Sequence, residues 1–298
     1  MEAHPLLREL GLSGAGFAAP VLGGPGVGFN ADSPVSPASV MKIQIALAVE
    51  RAMALGQIDG AAERVLSPER RTSGPAGVSL MQDEVRMSVR DLVVAMLTIS
   101  DNVATDELIE VAGLDEINRL TQAIGLQQTF IAANLRDTLD EIAAEVGFSD
   151  YTAMAAHDPA TGPSNQEIEA TVHASAPLDP ARGTRTTAAD TVRLLQEIWL
   201  DRAAPAPACA SVRRLMLLQL TKGRIASAFD PPISVAAKSG GLLGVIRNEA
   251  AVVSFPDGAA YAVAIFTRRE IGTPIAPAAI DDTIGKIAGD LIQRLRSG

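Results

Sequence analysis

Three short polar motifs are spaced along this chain, and two of its four lysines sit in them. Ser39-Val40-Met41-Lys42 reads S-x-x-K, Ser100-Asp101-Asn102 reads S-D-N, and Lys238-Ser239-Gly240 reads K-[ST]-G. A serine hydroxyl is a poor nucleophile until a base takes its proton. A lysine can be that base once burial and neighbouring donors have lowered its proton affinity. Ser39 and Lys42 lie three residues apart at a predicted helix start, so they share a helix face. The same helix start offers free amide groups and a positive dipole to a developing oxyanion. The chemistry that suits these residues is acyl transfer through a covalent ester on Ser39.

Each motif also has a plainer explanation. Ser39 and Lys42 fit a helix start with a snorkelling lysine. Ser100 to Asn102 fit ordinary N-capping of the next helix. Lys238 to Gly240 fit a surface strand with an exposed lysine. The combination is more specific than its members, because each motif falls on a suitable element: helix start, interhelical loop, strand. In the functional reading Ser100 shuttles a proton to the leaving group, and Asn102 binds a substrate carbonyl and the lysine. Gly240-Gly241 leaves room for a ligand backbone. Arg247, across the expected hairpin, suits a substrate carboxylate.

The elements that must position these residues can be read from periodicity. Residues 14–35 read as short strands joined by turns. From Pro37 to Leu55 the pattern is apolar on nearly all sides, which predicts a buried central helix, with Ser36-Pro37 suited to its start. Further helices are predicted at Ser88–Ile99, Ala104–Val111, Leu114–Ile124 and Thr187–Leu200, with a short one at Thr138–Glu145. The rest of 136–186 reads as weakly organised. Strands are predicted at Ile233–Ala237, Glu249–Phe255 and Tyr261–Thr267, the last two joined by a Pro256-Asp257-Gly258 turn. Ile280–Leu295 reads as an amphipathic closing helix. The sum is an α+β fold: an antiparallel sheet flanked by terminal helices, with an all-helical region inserted. The predicted boundaries are 1–35 with 205–298 for the sheet domain and 36–204 for the helical one.

Composition narrows the function classes. The net charge of −10 argues against a nucleic-acid partner, whose phosphates need a basic face, and against an anionic membrane surface. The only cysteine, Cys209, excludes an intrachain disulfide and a cysteine metal cluster, and reads as a small buried filler. No metal or cofactor is expected, and the partner expected is a small-molecule substrate. Met1 to Leu10 lacks a basic segment followed by an apolar one, and no apolar run is long enough to span a bilayer. The chain as given therefore reads as cytoplasmic, with export open should a leader precede it.

At the level of the motifs and their surroundings, the chain resembles class A β-lactamases and their penicillin-recognising serine-enzyme relatives. Phe29-Asn30-Ala31-Asp32 is similar to the family's approach to its nucleophile. Ser88 through Thr105 is similar to its helix leading into S-D-N. Gly125-Leu126-Gln127-Gln128-Thr129 matches a G-L-x-x-T turn, Thr186 to Asp190 resembles the helix start after the omega loop, and Lys238 to Val253 resembles the K-[ST]-G strand and its neighbour. The likeness covers most of 25–135 and 184–295. It implies Ser39 as nucleophile and Lys42 as proton acceptor. Ser100, Asn102, Lys238, Ser239 and Gly240 would handle protons and bind substrate. The backbone N–H groups of Ser39 and Gly241 would form the oxyanion hole, and Arg247 would pair a substrate carboxylate.

One departure is plain. The family's E-x-x-L-N motif, whose glutamate activates the deacylating water, is missing between Ser100 and Thr186. The nearest titratable groups are Glu167, Glu169 and His173, without the Leu-Asn continuation. Three outcomes follow: a hydrolase of a β-lactam or related amide or ester, a D,D-peptidase-like enzyme or esterase/acyltransferase with slow deacylation, or an inactive binding module.

Overall fold

Runs of Val, Ile and Ala near both ends of the chain build an antiparallel sheet. The computed structural model describes residues 4–298; Met1–Ala3, part of the stretch read above for a leader, lie outside the described residues. The strands are β1 (Leu12–Pro20), β2 (Val27–Phe29), β3 (Glu63–Leu66), β4 (Val85–Ser88), β5 (Ser234–Leu242), β6 (Ile246–Ser254) and β7 (Ala260–Arg269). Five of them form one sheet in the order β2-β1-β7-β6-β5, and β3 pairs with β4 in a small ribbon. β7 is buried along most of its length, so its apolar run is continuous instead of alternating.

The helices are α1 (Pro5–Glu9), α2 (Lys42–Ala54), α3 (Val89–Thr98), α4 (Asn102–Ala112), α5 (Leu114–Ala123), α6 (Leu135–Val146), α7 (Tyr151–Ala155), α8 (Asn165–Ala174), α9 (Ala188–Trp199), α10 (Ala206–Leu217) and α11 (Pro277–Ser297). None is long and apolar enough to cross a membrane. Two cores meet at the sheet. One face packs Val253, Val263 and Ile265 against Ile284, Ile287 and Leu291 of α11. The other face packs Val252, Ala264 and Phe266 into a cluster that continues through Leu47 of α2, Met96 of α3, Leu195 of α9 and Val212 of α10. A single apolar cluster therefore runs from sheet to helices. Cys209 is fully buried in it.

Several elements differ from the reading of the sequence. The central helix opens with a tight 3-10 turn, Ala38–Met41, before α2 begins at Lys42. The helix expected at Thr138–Glu145 is present as the longer α6, and the rest of the segment read as weakly organised holds α7 and α8; their N-caps are Asn134, Asp150 and Ser164, the last in a capping box with Glu167. α10 and the β3–β4 ribbon carried no strong periodicity and were not predicted. The 131–184 excursion leaves and returns at one place. Phe130 and Arg185 exchange backbone hydrogen bonds of 2.9 Å each way, and Val35 pairs with Thr186 beside them. Farther out, Arg268 and Arg269 at the end of β7 hold it. Arg268 donates to the carbonyls of His173 and Leu178, and Arg269 pairs with Glu169 at 2.6 Å.

β5 lies hard against the 3-10 turn. A Cβ on Gly240 would sit 2.7 Å from the Pro37 carbonyl oxygen, whereas one on Gly241 would meet nothing closer than 3.6 Å. Gly240→Ala is therefore expected to force strand and turn apart at a cost of about 1–3 kcal/mol. Gly241→Ala should leave the melting temperature close to wild type. Calorimetry of the two variants checks the contrast.

Candidate active site

Ser39 is half-buried in the 3-10 turn, immediately after Ala38, whose φ of +47° is a left-handed conformation that an alanine adopts only under constraint. The constraint is visible. Asn248 of β6 donates to the Ser36 carbonyl at 3.0 Å and the Pro37 carbonyl at 3.1 Å, clamping the chain just ahead of the turn. Val35 is pinned to Thr186 on the other side.

Lys42 follows at the start of α2 and is fully buried. Its Nζ lies 2.7 Å from the Ser100 carbonyl oxygen, 2.9 Å from Asn102 Oδ1 and 3.2 Å from Ser100 Oγ. Burial pulls its pKa down to about 7, against the opposing charges of Asp101 and Asp106. The Asp101 carbonyl oxygen lies farther off, at 3.5 Å, and the two short pure acceptors, the Ser100 carbonyl and Asn102 Oδ1, can take the two N–H groups of a neutral amine. Ser39 Oγ is not among the hydrogen-bond partners of Lys42 in this resting arrangement.

Lys238 is also buried, at 1% exposure, and its Nζ lies 3.0 Å from Ser100 Oγ and 2.8 Å from the Ser239 carbonyl oxygen. Burial is the main cause that drives its pKa well below the usual lysine range, and the neighbouring Lys42 adds to it. The plain reading of both lysines as snorkelling or surface groups therefore fails. Ser100 Oγ sits between two amines. Ser100 itself has φ +61°, at the junction where α3 ends and α4 begins. Asp101 holds that junction: its carboxylate accepts from Val78 N at 2.7 Å and Ala104 N at 3.1 Å. Asn102 adds a bond from Nδ2 to the Ser73 carbonyl at 2.8 Å.

Ser39, Asn102 and Gly241 line one narrow pocket together with Leu135, Thr138 and Leu139 of α6, Pro177 and Thr184, with room for only about 60 Å³. Its lining carries no carboxylate and no imidazole. Glu167 is exposed and spent on the capping box of α8. Glu169 pairs with Arg269, and His173 lies 3.9 Å from Glu169, so these three form a separate group on α8 and the end of β7. Ser239 is buried, and its backbone N–H donates to Gln219 Oε1.

Arg247 stands opposite Gly241 across the β5–β6 pairing, in a cleft that adjoins the Ser39 pocket at Gly241 and Leu242. Its guanidinium already holds a carboxylate: Nε and Nη2 reach the two oxygens of Asp281 on α11 at 2.5 and 2.6 Å. Arg224 shares the same acid at 2.7 Å. Burial raises the proton affinity of Asp281, yet its two arginines outweigh this and hold its pKa below the usual carboxylate range. The sequence reading missed Asp281, Arg224, Gln219, Glu249 and Leu135. Glu249 alone left a signal, an acid inside an otherwise apolar strand.

The comparisons with known proteins bear on the family and the fold. The chain is 29% identical to the beta-lactamase regulatory protein BlaB of Streptomyces cacaoi, over 99% of this chain and 96% of that one. The fold is similar to that of a beta-lactamase from Sphaerobacter thermophilus, with a TM-score of 0.76 at 21% identity over 98% and 95% of the two chains. It is also similar to PBP-A, with a TM-score of 0.75 at 17% identity over 98% and 95%. These structural likenesses show the fold alone. A sequence model described as the beta-lactamase enzyme family matches residues 17–295, nearly the whole chain, and the protein belongs to that family.

Proposed function

We propose that this protein is a serine hydrolase that forms an acyl-enzyme at Ser39 with a β-lactam or a related amide or ester, and that it deacylates slowly. The observation that carries the first half is the convergence of Lys42 and Lys238 on Ser100 Oγ, beside the pocket that exposes Ser39. Neutral Lys42 takes the Ser39 proton as Oγ bonds to the substrate carbonyl carbon. The developing oxyanion meets the N–H groups of Ser39 and Gly241. The carbonyl–nitrogen bond then breaks, and the leaving nitrogen takes a proton from Ser100 Oγ. Ser100 is resupplied from the amines on either side of it. Asn102 and Ser239 bind the substrate. Arg247 meets a substrate carboxylate only by sharing or exchanging Asp281, so that contact costs more than one to a free arginine.

The second half rests on Leu135. The wall of the Ser39 pocket offers Leu135, Thr138 and Leu139, where an attacking water would need a base. A second reading follows from the same wall and from the Streptomyces relative's regulatory designation: the protein takes up a β-lactam once and serves as a signal, not as a turnover catalyst.

A fluorescent penicillin should label Ser39, detected by intact mass, and Ser39→Ala should abolish the adduct; an equal signal from the variant overturns the proposal. Lys42 is a lysine with a lowered pKa, so its basic form is lost as pH falls. Labelling should accordingly rise about tenfold per pH unit up to about 7. Leu135→Glu puts a carboxylate on the pocket wall and should shorten the adduct's lifetime by roughly 10²-fold. Fast turnover of nitrocefin by the wild-type protein would overturn slow deacylation.

A further inference from the structure

The K-[ST]-G strand is the outer edge of the sheet, and one buried acid organises it. Glu249 of β6 is fully buried and pairs in register with Ser239 of β5. Its Oε1 accepts from Gln219 Nε2 at 3.1 Å and its Oε2 accepts from Ile225 N at 2.6 Å. Both partners are donors only at these atoms, so both carboxylate oxygens act as acceptors, which suits an ionised acid; burial raises the proton affinity of Glu249, and Arg224, the Ile225 N–H, Gln219 and Lys238 pull against it. This in turn fixes the Gln219 amide. With its NH2 group directed to Glu249 and to the Thr221 carbonyl at 3.0 Å, its oxygen faces the Ser239 N–H. Ser239 N therefore points away from β6, towards the open edge. Gly241 N, two residues on, points to the same edge. The side-chain cap ends where the proposed oxyanion donor begins.

We propose that Glu249, acting through Gln219, is a positioning residue for this site: it fixes the outer edge of β5 and balances the charge of Lys238. The inference rests on the acyl-enzyme reading for its kinetic readout but not for its structural one. The charges that act on Lys238 are Lys42 on α2, Arg224 ahead of the Ile225–Ala228 turn and Glu249 on β6; Asp101 at the start of α4 and Asp106 within it act on Lys42, and Asp281 of α11 and Arg247 lie behind Arg224. Of the charges that act directly on Lys238, Glu249 is the one that favours its ammonium form. Deleting that charge makes Lys238 lose its proton at lower pH. If the ammonium form of Lys238 serves the reaction, the alkaline limb of acylation must then move down.

The test is a pH series of penicilloyl formation at Ser39, read by intact mass, together with hydrogen–deuterium exchange of the peptide covering β5. Glu249→Gln should bring the alkaline limb down by about one pH unit or more, whereas Glu249→Asp, which keeps the charge, should restore it towards wild type. Gln219→Met keeps the charge and removes the relay. It should slow acylation roughly tenfold with the limb unmoved, and raise exchange in β5. Wild-type rate and limb in Glu249→Gln overturn the proposal. Should that variant show no cooperative melting transition, Gln219→Met decides, and wild-type acylation and β5 exchange in it overturn the proposal. If the wild-type protein never forms a Ser39 adduct, the acyl-enzyme reading fails, while the exchange comparison still judges the relay.

Discussion

Two lysine side chains buried within reach of one hydroxyl make a costly arrangement. Charged amines lose their hydration on burial, and two of them also repel. The structure answers with acceptors and not with an ion pair at hydrogen-bond distance: the Ser100 and Ser239 carbonyls, Asn102 Oδ1 and the shared Ser100 Oγ. The acids stand one step back, Asp101 and Asp106 around Lys42 and Glu249 on the strand next to that of Lys238. A direct carboxylate would have held each amine protonated. Withholding it leaves Lys42 poised to lose its proton near neutrality.

Everything that touches this cluster is held by something rigid. The Ser39 turn is clamped by Asn248 and pressed by Gly240, both from the sheet. The Ser100 junction is tied down by the Asp101 carboxylate. The left-handed backbone at Ala38 and Ser100 costs about 1–3 kcal/mol at each site and persists because these partners over-determine it. The apolar cluster that spans sheet and helices holds α2, α4 and β5 in one frame.

Much of this was legible in the sequence. The motifs fell on the right elements because their flanks are strongly patterned: an all-apolar α2, an amphipathic α3 running into Ser100, and the Val- and Ala-rich strands after Lys238. The sheet and the inserted helices followed from the same patterns. What escaped was of two kinds. α7 and α8 are short and half-exposed, so their signals are caps and not periodicity. The residues that tune the site, Gln219, Glu249, Arg224 and Asp281, are far apart in the chain and meet only through the β5–β6 register and the docking of α11. Arg247 lies across the β5–β6 hairpin, opposite Gly241, but nothing in its own neighbourhood announces that an acid on the last helix already occupies it.

The paired backbone bonds between Phe130 and Arg185 give the 131–184 excursion a closed neck. Its ends are fixed side by side whatever lies between them, and closing a longer loop costs only slowly more entropy. Insertions there can therefore accumulate without moving Ser39, Lys42 or β5. Yet the same excursion supplies Leu135, Leu139, Pro177 and Thr184 to the pocket. The architecture thus separates two kinds of inheritance: a cluster of buried lysines and serines anchored in the common core, and a replaceable wall that faces Ser39.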